Sequence, residues 1–213
     1  MYDSCYRKNV TKKGCYIDVR TESYRSFRTD LETRLDFADW NMLSEMEERL
    51  SVLIGWERRA SNRRKGREDK KYSMKEGHLL DIQAAGSELM FCKIMNLYPE
   101  LSCLYHWGMK DCYLQNGMSV DVKMRMGWNE VRSLEVPAGM KEKSADVYAL
   151  MIGRMPIYKF LGWADGDDVF KGGEARRREI YGSVSKGTKE TFYHVNYDKL
   201  REPQELLELN KRS

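Results

Sequence analysis

The chain has 213 residues, so it is long enough to bury a core without stabilisation by disulfides or bound metal. Of these residues 41% are hydrophobic and 33% are charged, a composition too apolar for a disordered chain. The formal net charge of +4 is modest, but the Lys and Arg residues are clustered, which favours a polyanionic partner. Five widely spaced cysteines without a C-x-x-C pair argue against a disulfide framework or a zinc knuckle and indicate a reducing compartment.

The sequence lacks any apolar run that approaches the roughly 20 residues of a membrane span. Its first residues are polar and charged, without the apolar segment of a signal peptide. We therefore expect a cytoplasmic protein without a membrane partner.

Residues 1–35 contain a candidate strand at residues 15–19 and no catalytic pattern. After Asp39, a candidate N-cap, apolar residues recur at three- and four-residue steps and predict an amphipathic helix that ends near Gly55. The residues of this stripe are Trp40, Leu43, Met46, Leu50, Leu53 and Ile54. Because the stripe needs a surface to cover, a homodimer through this helix is one hypothesis.

Basic residues dominate from Arg58 to Lys71, which predicts an exposed linker or a helix extension. Two interpretations stay open for this segment: a solvated connector, or a contact with phosphate groups that ignores base sequence. The residues expected to contact nucleic acid are Arg63, Arg64, Lys65 and Arg67, together with a second basic cluster of Arg176, Arg177 and Arg178. We expect residues 1–71 to form an N-terminal extension and residues 72–213 to form the main domain.

A second helix is predicted over residues 75–98, where apolar side chains cover most of the circumference. Glu88 lies in the middle of this helix, with Ala84 and Ala85 one turn before it. An unpaired buried carboxylate is costly. Glu88 therefore requires either a salt bridge to an Arg or Lys or a place in a functional site.

Residues 110–126 predict a hairpin around Asn116 and Gly117. A regular two-residue turn would put Asp111 and Asp121 on opposite faces of this hairpin. A three-residue loop or a bulge would pair Tyr113 with Asp121 and Asp111 with Lys123, so that the two aspartates and Lys123 share one face. We predict such an irregularity.

Later apolar runs predict strands over residues 131–136, 146–152, 157–163 and 191–195, with a turn at residues 153–156. Short helices are expected at residues 167–171 and after Pro203. The three histidines, His78, His106 and His194, are too scattered for a histidine metal site and are expected to be structural.

Two or three carboxylates without histidine or thiol select a hard cation such as Mg²⁺ or Mn²⁺ over zinc. A lysine two residues beyond a carboxylate ligand lies on the same strand face, where its ammonium can orient an attacking water. The arrangement Glu88, Asp111, Asp121-x-Lys123 resembles the PD-(D/E)XK nuclease superfamily over residues 75–170. Lys110 stands where the family name has proline.

The resemblance implies an α/β fold with a restriction-endonuclease-like core, in which helices flank a mixed central sheet. It implies that Glu88, Asp111 and Asp121 bind Mg²⁺, for which Mn²⁺ would substitute, and that Lys123 positions the attacking water. It further implies a DNA endonuclease of phage or prokaryotic DNA metabolism, in the host cytoplasm if a phage encodes it. The alternative is a catalytically inactive protein that uses the same fold for nucleic-acid binding or assembly.

Overall fold

The computed structural model describes residues 40–66, 74–101, 110–126, 133–172, 174–180 and 188–211. Contacts divide the chain into Met1–Trp40 and Asn41–Ser213. The strand expected at residues 15–19, the cap expected at Asp39, and Arg67 and His106 lie outside the described residues. For residues 174–180 and 188–190 the backbone alone is described.

The first helix, α1, spans Glu45–Arg64. It begins at a capping box in which the Glu47 amide donates to Ser44 Oγ (3.3 Å) and the Ser44 amide donates to Glu47 Oε2 (2.6 Å). Acidic residues in its first turn and basic residues in its last turn complement the helix dipole. The predicted start before Leu43 and end near Gly55 were both wrong, because the cap lies at Ser44 and the basic segment continues the helix.

The predicted apolar stripe is only partly buried. Leu43, just before α1, and Ile54 are buried, whereas Met46 and Leu53 are 70% and 60% exposed. The other buried residues of α1 are Glu48, Ser51, Val52, Gly55 and Ser61. Hydrophobic periodicity misassigned Met46 and Leu53 because small and polar residues form much of the buried face. The homodimer expected through α1 stays a prediction.

The second helix, α2, spans Met74–Met95 and is buried over most of its second half, as predicted. It ends three residues before the predicted end, where Asn96 adopts a left-handed φ of 53° and the Leu97 amide donates to Cys92 O (2.8 Å). The first two helices pack along each other, and the boundary expected after residue 71 falls inside the unit that they share.

The main sheet has five strands and is mixed, which confirms an α/β fold with a mixed central sheet and helices. Its strands, in order across the sheet, are β1 (Asn41–Met42), β6 (Ile157–Asp165), β5 (Val147–Arg154), β3 (Ser119–Arg125) and β2 (Cys112–Tyr113). Strands β3 and β5 run parallel, and the other neighbours are antiparallel. No helix within the described ranges has both the length and the apolar character for crossing a bilayer.

A second sheet has the order β4 (Ser133–Pro137), β8 (Thr188–Asn196) and β7 (Glu174–Ile180). Its core joins Leu134 and Val136 of β4 to Tyr148 and Leu150 of β5. The sequence did not predict β7, which carries Arg176, Arg177 and Arg178 and pairs along β8.

Short helical turns follow β4, β6 and β8. They are two 3₁₀ turns, at Ala138–Lys143 and Tyr197–Lys199, and a π-helical turn at Asp168–Gly172. The last helix, α3, spans Pro203–Lys211, as expected after Pro203. The predicted turn at residues 153–156 is also present, because β5 ends at Arg154 and β6 begins at Ile157.

Candidate functional site

The hairpin between β2 and β3 has a three-residue loop, which confirms the predicted irregularity. The Leu114 amide donates to Met118 O (2.9 Å), and residues 115–117 form the loop between them. Gly117 takes a left-handed φ of 86°, which glycine adopts without steric cost. The predicted partners were wrong, because Tyr113 lies opposite Ser119. Asp111 lies just outside the paired residues, and its amide donates to Val120 O (3.0 Å).

The carboxylate of Asp111 takes the place of a strand carbonyl. Strand β2 begins only at Cys112, so its ladder does not extend to Val122. The Val122 amide donates instead to Asp111 Oδ2 (2.6 Å). This bond satisfies an edge amide of β3 and fixes the Asp111 carboxylate beside that strand.

Asp121 and Lys123 form an ion pair on β3. Asp121 is 6% exposed, and Lys123 Nζ donates to Asp121 Oδ1. The same Nζ lies 5.9 Å from the centre of the Tyr148 ring. Tyr148 is the register partner of Asp121 on β5, so the Tyr148 ring lies beside the Asp121–Lys123 ion pair.

Hydrogen bonds between Ser119 and Asp146 fix the parallel register of β3 and β5, which places Tyr148 beside Asp121. The amide and hydroxyl of Ser119 donate to Asp146 Oδ2 (2.8 and 2.6 Å), and the Asp146 amide donates to Ser119 Oγ (3.1 Å). Ser119 is the first residue of β3, and Asp146 directly precedes β5. These hydrogen bonds therefore align the starts of the two strands that carry Asp121 and Tyr148.

Glu88 pairs with Arg58 of α1. Arg58 Nη1 donates to Glu88 Oε1 (2.8 Å) and Nη2 donates to Oε2 (2.5 Å), so both carboxylate oxygens accept from one guanidinium. The salt bridge considered for Glu88 is thus present. Sequence reasoning did not single out Arg58, because no local pattern links residues thirty positions apart.

The electrostatics show that the four predicted residues share one environment. Burial raises the pKa of Asp111 well above its ordinary value, the Glu88 and Asp121 carboxylates raise it further, and Lys123 opposes them. Burial acts to lower the pKa of Lys123, but Asp121 and Asp111 outweigh it and raise that pKa. Lys123 is therefore a protonated donor at neutral pH.

Lys110 is a further cation of this environment that sequence reasoning set aside. Burial and Lys123 lower the pKa of Lys110, and Asp121, Asp146 and Asp111 oppose the shift. Its charge therefore lies within electrostatic reach of the same aspartates as Lys123. The signal in the sequence was its position directly before Asp111.

The carboxylates offer hard oxygen ligands, although most oxygens already accept hydrogen bonds. Within the described part of the chain, no three acidic, histidine or cysteine side chains converge as a cluster that holds a metal ion. Asp111 and Asp121 each keep one oxygen outside the bonds to Val122 and Lys123. Carboxylate oxygens are the ligands that hard divalent cations prefer, whereas both oxygens of Glu88 accept from Arg58.

The expected nucleic-acid residues fall into two groups. Arg63, Arg64 and Lys65 are exposed at the C-terminal end of α1, beyond Arg58. At 1.5 Å of rise per residue, Arg63 lies about 7.5 Å further along the helix than Arg58. The second group, Arg176, Arg177 and Arg178, lies on β7 opposite Phe192, Thr191 and Glu190.

His194 lies in a polar cluster that does not have the geometry of a catalytic relay. Its Nδ1 is 3.3 Å from Ser133 Oγ and 3.6 Å from Glu135 Oε1. A relay requires the nucleophile and the acid at opposite ring nitrogens, whereas both lie at the same nitrogen here. The cluster instead joins β4 to β8, where Glu135 and His194 are register partners.

Comparison with known proteins finds no match among protein-family models, curated proteins or solved structures. The chemistry of Glu88, Asp111, Asp121 and Lys123 is therefore the basis for a functional assignment.

Proposed function

We propose that the protein is a Mg²⁺-dependent nuclease of the PD-(D/E)XK type that hydrolyses DNA phosphodiester bonds. One observation carries the proposal: the Asp111 carboxylate accepts from the Val122 amide (2.6 Å), directly between Asp121 and Lys123, which form an ion pair on β3. The order of elements also supports it, since α2 with Glu88 precedes the strands with the aspartates and Lys123. We infer a restriction-endonuclease-like core and a role in phage or prokaryotic DNA metabolism from the same order.

The residues have separate tasks in this proposal. Asp111 and Asp121 would hold Mg²⁺ through their remaining oxygens, and Glu88 would complete the site from α2. The ion, when bound, would neutralise charge on the phosphate and favour ionisation of water. Lys123 acts as a donor rather than a base, because its raised pKa keeps it protonated. Its ammonium would orient the attacking water and stabilise the charge that develops in the transition state.

The substrate would bind through its phosphates. Arg63, Arg64 and Lys65 would contact the DNA backbone from the end of α1, and Arg176, Arg177 and Arg178 would contact it from β7. Such contacts position a duplex without reading its sequence. We therefore expect cleavage with little sequence preference and a steep loss of binding as salt rises.

Nicking of plasmid DNA and degradation of linear DNA, with Mg²⁺ or Mn²⁺, test the proposal. Asp121→Ala and Lys123→Ala should each lower the cleavage rate by about 100-fold or more. Asp167→Ala and Lys171→Ala are matched controls, because they break an exposed Asp–Lys pair (2.8 Å). Wild-type cleavage that neither site variant reduces would remove the catalytic role.

The second candidate is a nucleic-acid-binding or assembly protein without catalysis. The observation that favours it is the pairing of Glu88 with Arg58, which engages both oxygens of one expected ligand. This candidate predicts DNA binding that weakens steeply with salt, without cleavage at any Mg²⁺ or Mn²⁺ concentration.

A further inference from the structure

The ion pair between Arg58 and Glu88 joins the acidic site to α1. The two side chains are 22% and 12% exposed, and the guanidinium and the carboxylate meet through two parallel hydrogen bonds. Bidentate pairs of this kind restrict orientation as well as position. The Glu88 carboxylate is therefore held in one plane, and it is close enough to Asp111 to raise the pKa of that carboxyl.

The backbone of α1 fixes the reach of Arg58. Gly55, one turn before Arg58, packs so closely on α2 that an added Cβ would lie 2.7 Å from Ile82 N and 2.8 Å from Ile82 Cα. Direct contact between two helix backbones leaves little room for sliding. Arg58 thus enters the site from a rigid element.

We propose that Arg58 is a positioning residue of the acidic site, which holds Glu88 in the orientation that supports the Asp111–Asp121 pair. This inference rests on the proposed metal-dependent function. A carboxylate has about four lone-pair sites, so Glu88 can accept both Arg58 bonds and still face a cation. Removing the partner that orients a ligand typically lowers metal affinity by about 10- to 100-fold.

A second ion pair between the same helices provides a control that distinguishes orientation of Glu88 from general stabilisation of the helix–helix contact. Arg59 Nη1 lies 3.8 Å from Asp81 Oδ2, and this pair also links α1 to α2. Asp81 lies seven residues before Glu88, about 10 Å along the helix. Arg59→Met therefore removes a contact between the helices without removing the group that orients Glu88.

Binding of Mn²⁺ to the full chain, measured by the electron paramagnetic resonance of free Mn²⁺, tests the inference without DNA. We expect Arg58→Met to weaken Mn²⁺ binding by about 10- to 100-fold and Arg59→Met to leave it within about twofold. Arg58→Lys should recover only part of the affinity, because a single ammonium cannot form the two parallel bonds. Circular dichroism confirms that each variant is folded, and Arg58→Lys serves if Arg58→Met is not.

The outcomes distinguish the two proposals. Equal Mn²⁺ affinity in Arg58→Met and Arg59→Met, with Asp121→Ala weaker than both, would overturn the positioning role and leave the metal site intact. Wild-type protein that does not bind Mn²⁺, or that binds it no better than Asp121→Ala, would overturn the proposed function, and the role of Arg58 with it.

Discussion

Gly55 and Gly77 both lie in helices that pack together, yet adding a methyl group should have opposite effects at the two positions. At Gly55 the new Cβ would lie 2.7 Å from Ile82 N, which is a backbone atom of α2. At Gly77 it would meet the guanidinium of Arg59, the far end of a flexible side chain. The first clash can be relieved only by separating the helices, whereas a rotation of Arg59 relieves the second.

The expected magnitudes follow from two opposing contributions. Replacing Gly by Ala inside a helix stabilises it by about 0.5–1 kcal/mol. Inserting a methyl group where packing cannot relax costs about 1–3 kcal/mol. We expect Gly55→Ala to lower the free energy of unfolding by about 1–2 kcal/mol, which is about 2–8 °C in Tm for a domain of this size. Gly77→Ala should be neutral or stabilising by up to about 1 kcal/mol.

Urea denaturation and thermal melting of the two variants measure these changes directly. Gly55→Ala should also weaken Mn²⁺ binding, since Arg58 lies one turn further along the displaced helix. The reasoning would be refuted if Gly55→Ala were at least as stable as the wild type, or if Gly77→Ala were destabilised equally.

Three further expectations concern buried polar groups. Burial raises the pKa of Glu48 to about 8, so the folded chain holds a proton that the unfolded chain releases above its ordinary pKa of 4.5. The stability from this proton is complete below pH 4.5 and is lost as pH rises through about 8. Glu48→Gln should therefore flatten the pH dependence of the unfolding free energy across that window, by up to about 5 kcal/mol, as measured by urea denaturation at a series of pH values. Arg58→Met should lower the free energy of unfolding by about 2 kcal/mol. The double variant Arg58→Met with Glu88→Met should lower it less, because no buried charge is left unpaired. A double-mutant cycle measures the coupling energy between the two residues. Asn210→Ala should cost about 1–3 kcal/mol in thermal unfolding, because the Gln115 amide (2.9 Å) and the Met95 carbonyl (3.1 Å) lose their partner.

Each expectation has a contrary result. An unchanged pH dependence in Glu48→Gln would show that Glu48 is not the group that titrates. Additive effects of the Arg58 and Glu88 substitutions would show that the pair has no coupling energy. For Asn210, the control is Asn116→Ala in the exposed hairpin loop, and equal losses in the two variants would contradict the bridging role of Asn210.

The elements that the sequence predicted well are those with a strong local pattern. The sequences of β5 and β6 are nearly continuous apolar runs, and α2 is apolar on most sides. The apolar pattern of these elements therefore predicted their burial correctly. The buried face of α1 was only partly predicted, because Gly55 and Ser51 also lie on it and small residues carry no hydrophobic signal. Strand β7 was missed because its three consecutive arginines lack the apolar–polar alternation of a strand and indicated only a basic cluster.

The shared strand face of Asp121 and Lys123 was predictable from the sequence, but the register of the hairpin was not. A shift of two positions in the hairpin leaves every side chain on the same face, so the chemistry required only that the parity be right. Asp111 could therefore be grouped with Asp121 and Lys123 although the predicted pairing of Tyr113 with Asp121 was wrong. The pairing of Glu88 was predicted as an alternative, but its partner Arg58 depends on how two helices approach, which no local pattern encodes.

The parallel pairing of β3 with β5 also has a consequence for folding. Hairpin β2–β3 can form from neighbours in sequence, whereas β5 reaches β3 only after the chain has passed through β4 and the Ala138–Lys143 turn. Closing such a connection costs entropy before any strand contact is gained, so this step is expected to be slow. Until β5 docks, Tyr148 is absent from the hairpin that carries Asp121 and Lys123. In a growing or partly unfolded chain, Asp121 and Lys123 would therefore be present without the neighbouring strand β5. The candidate site would form only when folding is complete.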